Sequence, residues 1–157
     1  MAALLPMRPE RYPAYLESAI AGYAQDNISA GRWPELGALE RSREDFATLL
    51  PQGLATPEHF LYEILAHEGG PTIGSLWVHI EHKFGAVSAY VYDLEIEPAF
   101  RRQGHAEHAL RALEALAAAA GAGGIGLNVF ADNVGAQALY RKLGYVTTNF
   151  NMRKPLG

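Results

Sequence analysis

Cysteine does not occur anywhere in the 157 residues. Its absence excludes disulfides, a thiolate nucleophile and thiolate-ligated metal, and it fits a reducing compartment, so a cytoplasmic protein is expected. A basic excess is also missing: 13 Lys and Arg stand against 17 Asp and Glu, for a formal net charge of −4. Bulk attraction to nucleic acid or to an anionic membrane is therefore not expected. No uncharged apolar run approaches the roughly 18 residues that cross a bilayer. The opening residues carry no basic leader and no long apolar stretch, so a secretory signal is not expected. Glycine is sparse where nucleotide fingerprints need it. Gly104 is the only glycine between Gly85 and Gly121, which excludes the three-glycine dinucleotide turn, and no Gly-Lys-Ser/Thr phosphate loop occurs. Ser75 and Ser88 lie in no nucleophile elbow, so an acyl-enzyme is not expected. His79 with His82, and His105 with His108, lack a cysteine or carboxylate cluster beside them, so no metal is expected.

What is present reads as one domain over residues 1–157. The chain is 49% hydrophobic and 19% charged, ordinary values for a globular protein with a sizeable core. Residues 3–7 read as a first strand. Tyr12, Tyr15, Leu16, Ala19, Ile20 and Tyr23 then recur on one helical face, with Gly31 as a stop. Residues 34–50 read as a second helix opening on Pro34. Three runs rich in aromatic and β-branched residues follow, 59–66, 72–81 and 87–97, and their short links predict an antiparallel meander. Residues 103–120 carry a clean apolar stripe and predict a helix. Residues 125–130 predict a strand parallel to the one before that helix. A short helix over 133–143, capped by Asp132 or Asn133, and a last strand over 145–152 complete the pattern. The fold class is mixed α/β.

The turn at residues 101–106, Arg-Arg-Gln-Gly-His-Ala, lies between a strand and the most regular helix. Backbone N–H groups at such a helix start point outward at the positive end of the helix dipole, which suits a phosphate. Gly104 lets the backbone come close, and Arg101 and Arg102 add positive charge. A phosphate-bearing ligand is the expectation.

Residues 94–106, Leu-Glu-Ile-Glu-Pro-Ala-Phe-Arg-Arg-Gln-Gly-His-Ala, resemble the central signature of the GNAT superfamily of N-acetyltransferases. Leu127-Asn128-Val129-Phe130-Ala131-Asp132-Asn133, then Ala136, Leu139-Tyr140 and Leu143-Gly144-Tyr145, resemble that family's second signature. The two signatures occur in order, with a helix of suitable length between them, and cover about residues 87–153. Gly31-Arg32-Trp33 and the run 49–53, Leu-Leu-Pro-Gln-Gly, resemble a small bacterial branch more loosely.

The resemblance implies a mostly antiparallel central sheet with splayed fourth and fifth strands, flanked by about four helices. It implies acetyl-coenzyme A as donor and a small-molecule amine as acceptor, with direct transfer in a ternary complex. Cofactor contacts would fall on Leu94, Glu95 and Ile96 along the strand and on Arg101, Arg102, Gln103, Gly104, His105 and Ala106 at the turn. Asn133, Ala136 and Tyr140 would add contacts from the last helix. The N–H of Ile96 is the expected oxyanion donor. Tyr140 is implied as the acid that protonates the leaving thiolate. For the base, Glu95 ranks first and Asp93 second, with a water chain as the remaining alternative, since Asn128 stands where some relatives carry a carboxylate. Strict strand alternation would put Asp93, Glu95 and Glu97 on one face and Tyr92, Leu94 and Ile96 on the other, unless a bulge intervenes. Trp33, Trp77 and Tyr92 either line the acceptor pocket or simply pack the core. Two other functions compete: a non-catalytic acyl-coenzyme A sensor, and an acetyltransferase acting on protein or peptide amines. A homodimer is common among the relatives and is an open expectation here.

Overall fold

The computed structural model describes residues 2–157. A five-stranded sheet runs in the order β1-β2-β3-β4-β5. Its strands are β1 (Ala3–Pro6), β2 (His59–Leu65), β3 (Thr72–Lys83), β4 (Ala86–Ile96) and β5 (Ile125–Leu127). Neighbours pair antiparallel except β4 and β5, which are parallel. The helices are α1 (Tyr12–Ser29), α2 (Ala38–Leu49), α3 (His105–Ala119) and α4 (Val134–Lys142).

The sheet separates two apolar clusters. On one face, Leu76, Val78 and Ile80 of β3 and Ala89 and Val91 of β4 meet Ala109, Leu110, Leu113 and Ala117 of α3. Leu110 is fully buried and Leu113 is 1% exposed, each contributing roughly 1.5–3 kcal/mol by burial. On the other face, Trp77 and Leu61 meet Ile20 of α1 and Phe46 of α2. The two N-terminal helices are also tied by a hydrogen bond, Ser42 Oγ donating to the Ile20 carbonyl at 2.7 Å. A half-buried ionic knot lies just after β1: Glu63 on β2 accepts from Arg8 Nε at 2.9 Å and from the Thr72 hydroxyl at 2.6 Å.

Four expectations are corrected. α2 begins at Ala38 rather than at Pro34, because Gly37 takes a left-handed φ of 78° and the preceding loop is held back on α1 by Arg32 and Trp33 N–H groups donating to the Asn27 carbonyl. Leu36, expected on the inner face of that helix, is consequently 89% exposed. β5 is shorter than expected and ends at Leu127. The last predicted strand does not form. Among the described residues, no backbone–backbone hydrogen bond engages the segment from Val146 on, and Val146, Phe150 and Met152 are exposed. Period-two patterning marks what can pair, and here no neighbouring strand is in place to pair with it.

The fourth correction concerns β4. The register runs Trp77 opposite Asp93, then Val78 opposite Val91, so Tyr92 is an extra residue, a β-bulge. Val87, Ala89, Val91, Leu94 and Ile96 all join the α3-side cluster. Tyr92 instead stacks on Trp77 at 4.7 Å, on the same side as Asp93. Strict alternation would have placed it on the opposite side.

Candidate active site

β4 and β5 pair only from Ala89 to Val91 against Ile125 to Leu127. β4 continues to Ile96 with no partner on that side among the described residues, so a cleft opens between residues 92–96 and residues 128–130. Glu97 N–H donates to the Ile73 carbonyl at 2.8 Å. Antiparallel alternation then turns the peptide groups of Ile96 away from β3 and toward the cleft. The Ile96 carbonyl is already used there, accepting from Arg101 Nε at 2.8 Å.

The turn that leads into α3 sits at the mouth of this cleft. A short 3-10 turn, Pro98–Phe100, follows β4. Arg102 and Gly104 then take left-handed φ values of 59° and 83°. The first helical bond runs from His108 N–H to the Gly104 carbonyl. The N–H groups of residues 102–107 meet no protein acceptor among the described residues. They lie at the start of a 15-residue helix, where the dipole is positive. Gly104 leaves the approach open, since the nearest atom to a Cβ there would be His108 Cε1 at 3.8 Å. Arg101 also reaches Glu95 Oε1 at 3.1 Å, and Gln103 donates to the Ala99 carbonyl at 3.2 Å. Both side chains brace the turn, while that of Arg102 is exposed. His105 is half-buried against Phe100, its Nδ1 without a partner, and Ala106 packs on the α3-side cluster.

The carboxylates are not equivalent. Glu95 is exposed and paired with Arg101. Asp93 is half-buried, and Tyr15 Oη donates to its Oδ2 at 2.8 Å. Burial pushes the Asp93 carboxyl up to about 6. The Tyr15 hydrogen bond opposes that rise, and the charges of Glu95 and Asp26 reinforce it. Burial, followed by the charges of Glu95 and Asp132, raises the Asp26 carboxyl as well. Four acidic groups thus share one electrostatic neighbourhood.

On the opposite wall, Asn133 caps α4, its Oδ1 accepting from Ala136 N–H at 3.2 Å. Tyr140 lies two turns further on, half-buried beside Leu139 and Leu143, its hydroxyl without a hydrogen bond among the described residues. Burial first, then the charge of Asp93, raises the Tyr140 phenol, so it stays protonated at neutral pH. Of the aromatic candidates, Tyr92 is 38% exposed, whereas Trp77 is 2% exposed and backs Tyr92 from below. Trp77 Nε1 donates to His59 Nδ1 at 3.0 Å. Trp33 is half-buried edge-on to Tyr23, with the Arg41 guanidinium over its ring. His79 contacts the Glu58 carbonyl, and the described residues contain no group of three or more potential metal ligands. No described helix is long and apolar enough to cross a membrane.

The structure thus sets Asp93, Ile96 and the 101–106 turn in succession at the unpaired end of β4, with Tyr140 near enough to feel the charge of Asp93 and with Glu95 at the rim. Sequence reasoning missed Tyr15 and Asp26 as members. Tyr15 stands 78 residues before Asp93 and carries no local motif, only a place on an apolar helical face.

Residues 13–145 match the model of the acetyltransferase (GNAT) family. The Bacillus subtilis protein YycN, described as an uncharacterized N-acetyltransferase, is 35% identical over 153 residues, 98% of this chain and 97% of its own length. Its crystal structure superposes with a TM-score of 0.94 over 99% of both chains. A second Bacillus subtilis protein of like description, YdgE, is 33% identical over 96% of this chain and 95% of its own.

Proposed function

The chain belongs to the GNAT acetyltransferase family, and on that premise we propose that it moves an acetyl group from acetyl-coenzyme A directly to a primary amine. The observation that carries the donor is the set of free N–H groups at residues 102–107. Their fan at a helix start, without a Cβ at Gly104, fits the pyrophosphate of coenzyme A. Arg102 adds charge there. Asn133 and Ala136 flank the cleft from α4. Acetyl-coenzyme A supplies the activated acetyl group, as a thioester.

The acceptor nitrogen must shed a proton to attack the thioester carbonyl. Asp93 takes it: a half-buried carboxylate titrating at about 6 is ionised at neutral pH, yet closer to the working pH than an ordinary aspartate. As the C–N bond forms, the N–H of Ile96 faces the oxygen on which charge develops. As the C–S bond breaks, Tyr140 gives its hydroxyl proton to the sulfur. Glu95 sits at the rim and holds Arg101, which braces the turn. With Asp26 and Asp132 it makes the acceptor side acidic, which favours an amine that arrives as a cation. Tyr92, backed by Trp77, and Trp33 supply aromatic walls.

The test is amine-dependent thiol release from acetyl-coenzyme A, measured with a panel of polyamines, amino sugars and lysine-like amines. Release with a cationic primary amine is expected. Tight binding of acetyl-coenzyme A with no release across the panel would instead identify a cofactor sensor.

A further inference from the structure

We infer that Tyr15 is a positioning residue for the transfer reaction, holding the Asp93 carboxylate so that one oxygen is fixed and the other is free to accept the proton of the amine. This rests on the reading of Asp93 as the base. Tyr15 is on the second turn of α1, its ring held in the cluster with Ile20, Phe46 and Trp77. From that rigid seat its hydroxyl donates to Oδ2 of Asp93 at 2.8 Å. No other side chain hydrogen-bonds to that carboxylate among the described residues. A carboxylate on a strand beside a bulge has rotamer freedom, and one directed donor removes it.

The groups around Asp93 make the role specific. Glu95 stands on the same strand, Asp26 and Tyr15 on α1 with Tyr12 one turn before Tyr15, and Tyr140 on α4. The carboxylates among them oppose ionisation of Asp93, as does its burial, while Tyr15 favours it. Burial and the Asp93 charge raise the Tyr15 phenol well above its ordinary value, so it remains a donor throughout the working range. Removing that one oxygen leaves only the Leu94 backbone N–H to oppose burial and the neighbouring acids.

The experiment compares wild type, Tyr15→Phe and Asp93→Asn. The Asp93 carboxyl carbon is titrated by 13C NMR in the first two, and the pH profile of kcat is measured in all three with a primary amine that titrates above about pH 9 and so stays cationic across the acidic limb. The ring of Tyr15→Phe keeps its packing, and a thermal melt confirms the fold. In Tyr15→Phe the Asp93 midpoint and the acidic limb of kcat both rise by about one pH unit, so the deficit is about tenfold below the limb and much smaller well above it. Asp93→Asn loses the limb. An unmoved midpoint and limb in Tyr15→Phe, or an equal loss at every pH, overturns the role of Tyr15 while leaving Asp93 as base. Asp93→Asn with the wild-type rate and limb overturns the base, and the role of Tyr15 with it.

Discussion

Gly74 offers a severe test of how the cleft is held. It lies on β3 opposite Ile96, the last residue of β4. A Cβ built on Gly74 would overlap the Glu95 carbonyl oxygen and come within 3.1 Å of Ile96 Cδ1 and 3.2 Å of the Glu95 carbonyl carbon. Two of those atoms are backbone, so no side-chain rotation relieves the contact, and the strands must part by about 1 Å. Gly74→Ala is expected to cost about 1–3 kcal/mol of stability, the range for overpacking a well-filled site. The displaced peptide is the one that turns the Ile96 N–H toward the cleft, so kcat should fall by roughly 100-fold. The assay pairs a urea denaturation midpoint with thiol-release kinetics under saturating acetyl-coenzyme A. Gly22→Ala in α1 is the control, since a Cβ there meets nothing within 4 Å. That control should gain about 0.5–1 kcal/mol by removing a helix-interior glycine. Wild-type stability and kcat in Gly74→Ala would refute the tight coupling of β3 to the site.

Three further outcomes are expected. Tyr140→Phe should lower kcat by about 100-fold or more while leaving acetyl-coenzyme A affinity unchanged by calorimetry; unchanged turnover would remove the acid role. Arg8 and Thr72 hydrogen bonds hold the Glu63 carboxyl down to about 2. Its carboxylate form therefore stabilises the fold fully above pH 4.5, and that contribution is lost as pH falls from 4.5 toward 2. It amounts to about 1–3 kcal/mol once the solvent exposure of Arg8 is discounted. Urea midpoints followed across that window should show the loss in wild type and not in Glu63→Gln. Removing residues 147–157 should change the unfolding free energy by less than about 0.5 kcal/mol, since the segment carries no backbone ladder; a loss of several kcal/mol would show that it is built into a sheet.

The elements most legible in the sequence were those whose signal is local. The stripe of α3 and the Gly104 turn each occupy a few consecutive residues, and both formed where expected. Asn133 capped its helix as its residue type predicts. Less legible was whatever depends on distant segments meeting. The strand alone puts Glu95 ahead of Asp93 as base, but what separates them is the company each keeps: Arg101 in solvent for one, a tyrosine from the first helix for the other. Gly74 reads as an ordinary strand glycine until Glu95 is laid across it. The tail shows the reverse failure, a local strand pattern with no neighbour to complete it.

The bulge at Tyr92 makes β4 unequal in the changes of length it can absorb. The ladder passes from Val91 to Asp93 as though they were adjacent. Deleting Tyr92 would leave every remaining side chain of the strand on its present side and remove only the ring over Trp77. Deleting Asp93 would likewise only remove the bulge, leaving Tyr92 opposite Trp77, whereas inserting a residue after Asp93 would turn Leu94 and Ile96 out of the α3-side cluster and bring Glu95 into it. A lineage carrying this fold can therefore lose one codon at the bulge and alter only the wall of the acceptor side, while a codon gained or lost at Leu94 turns the core side of the strand outward.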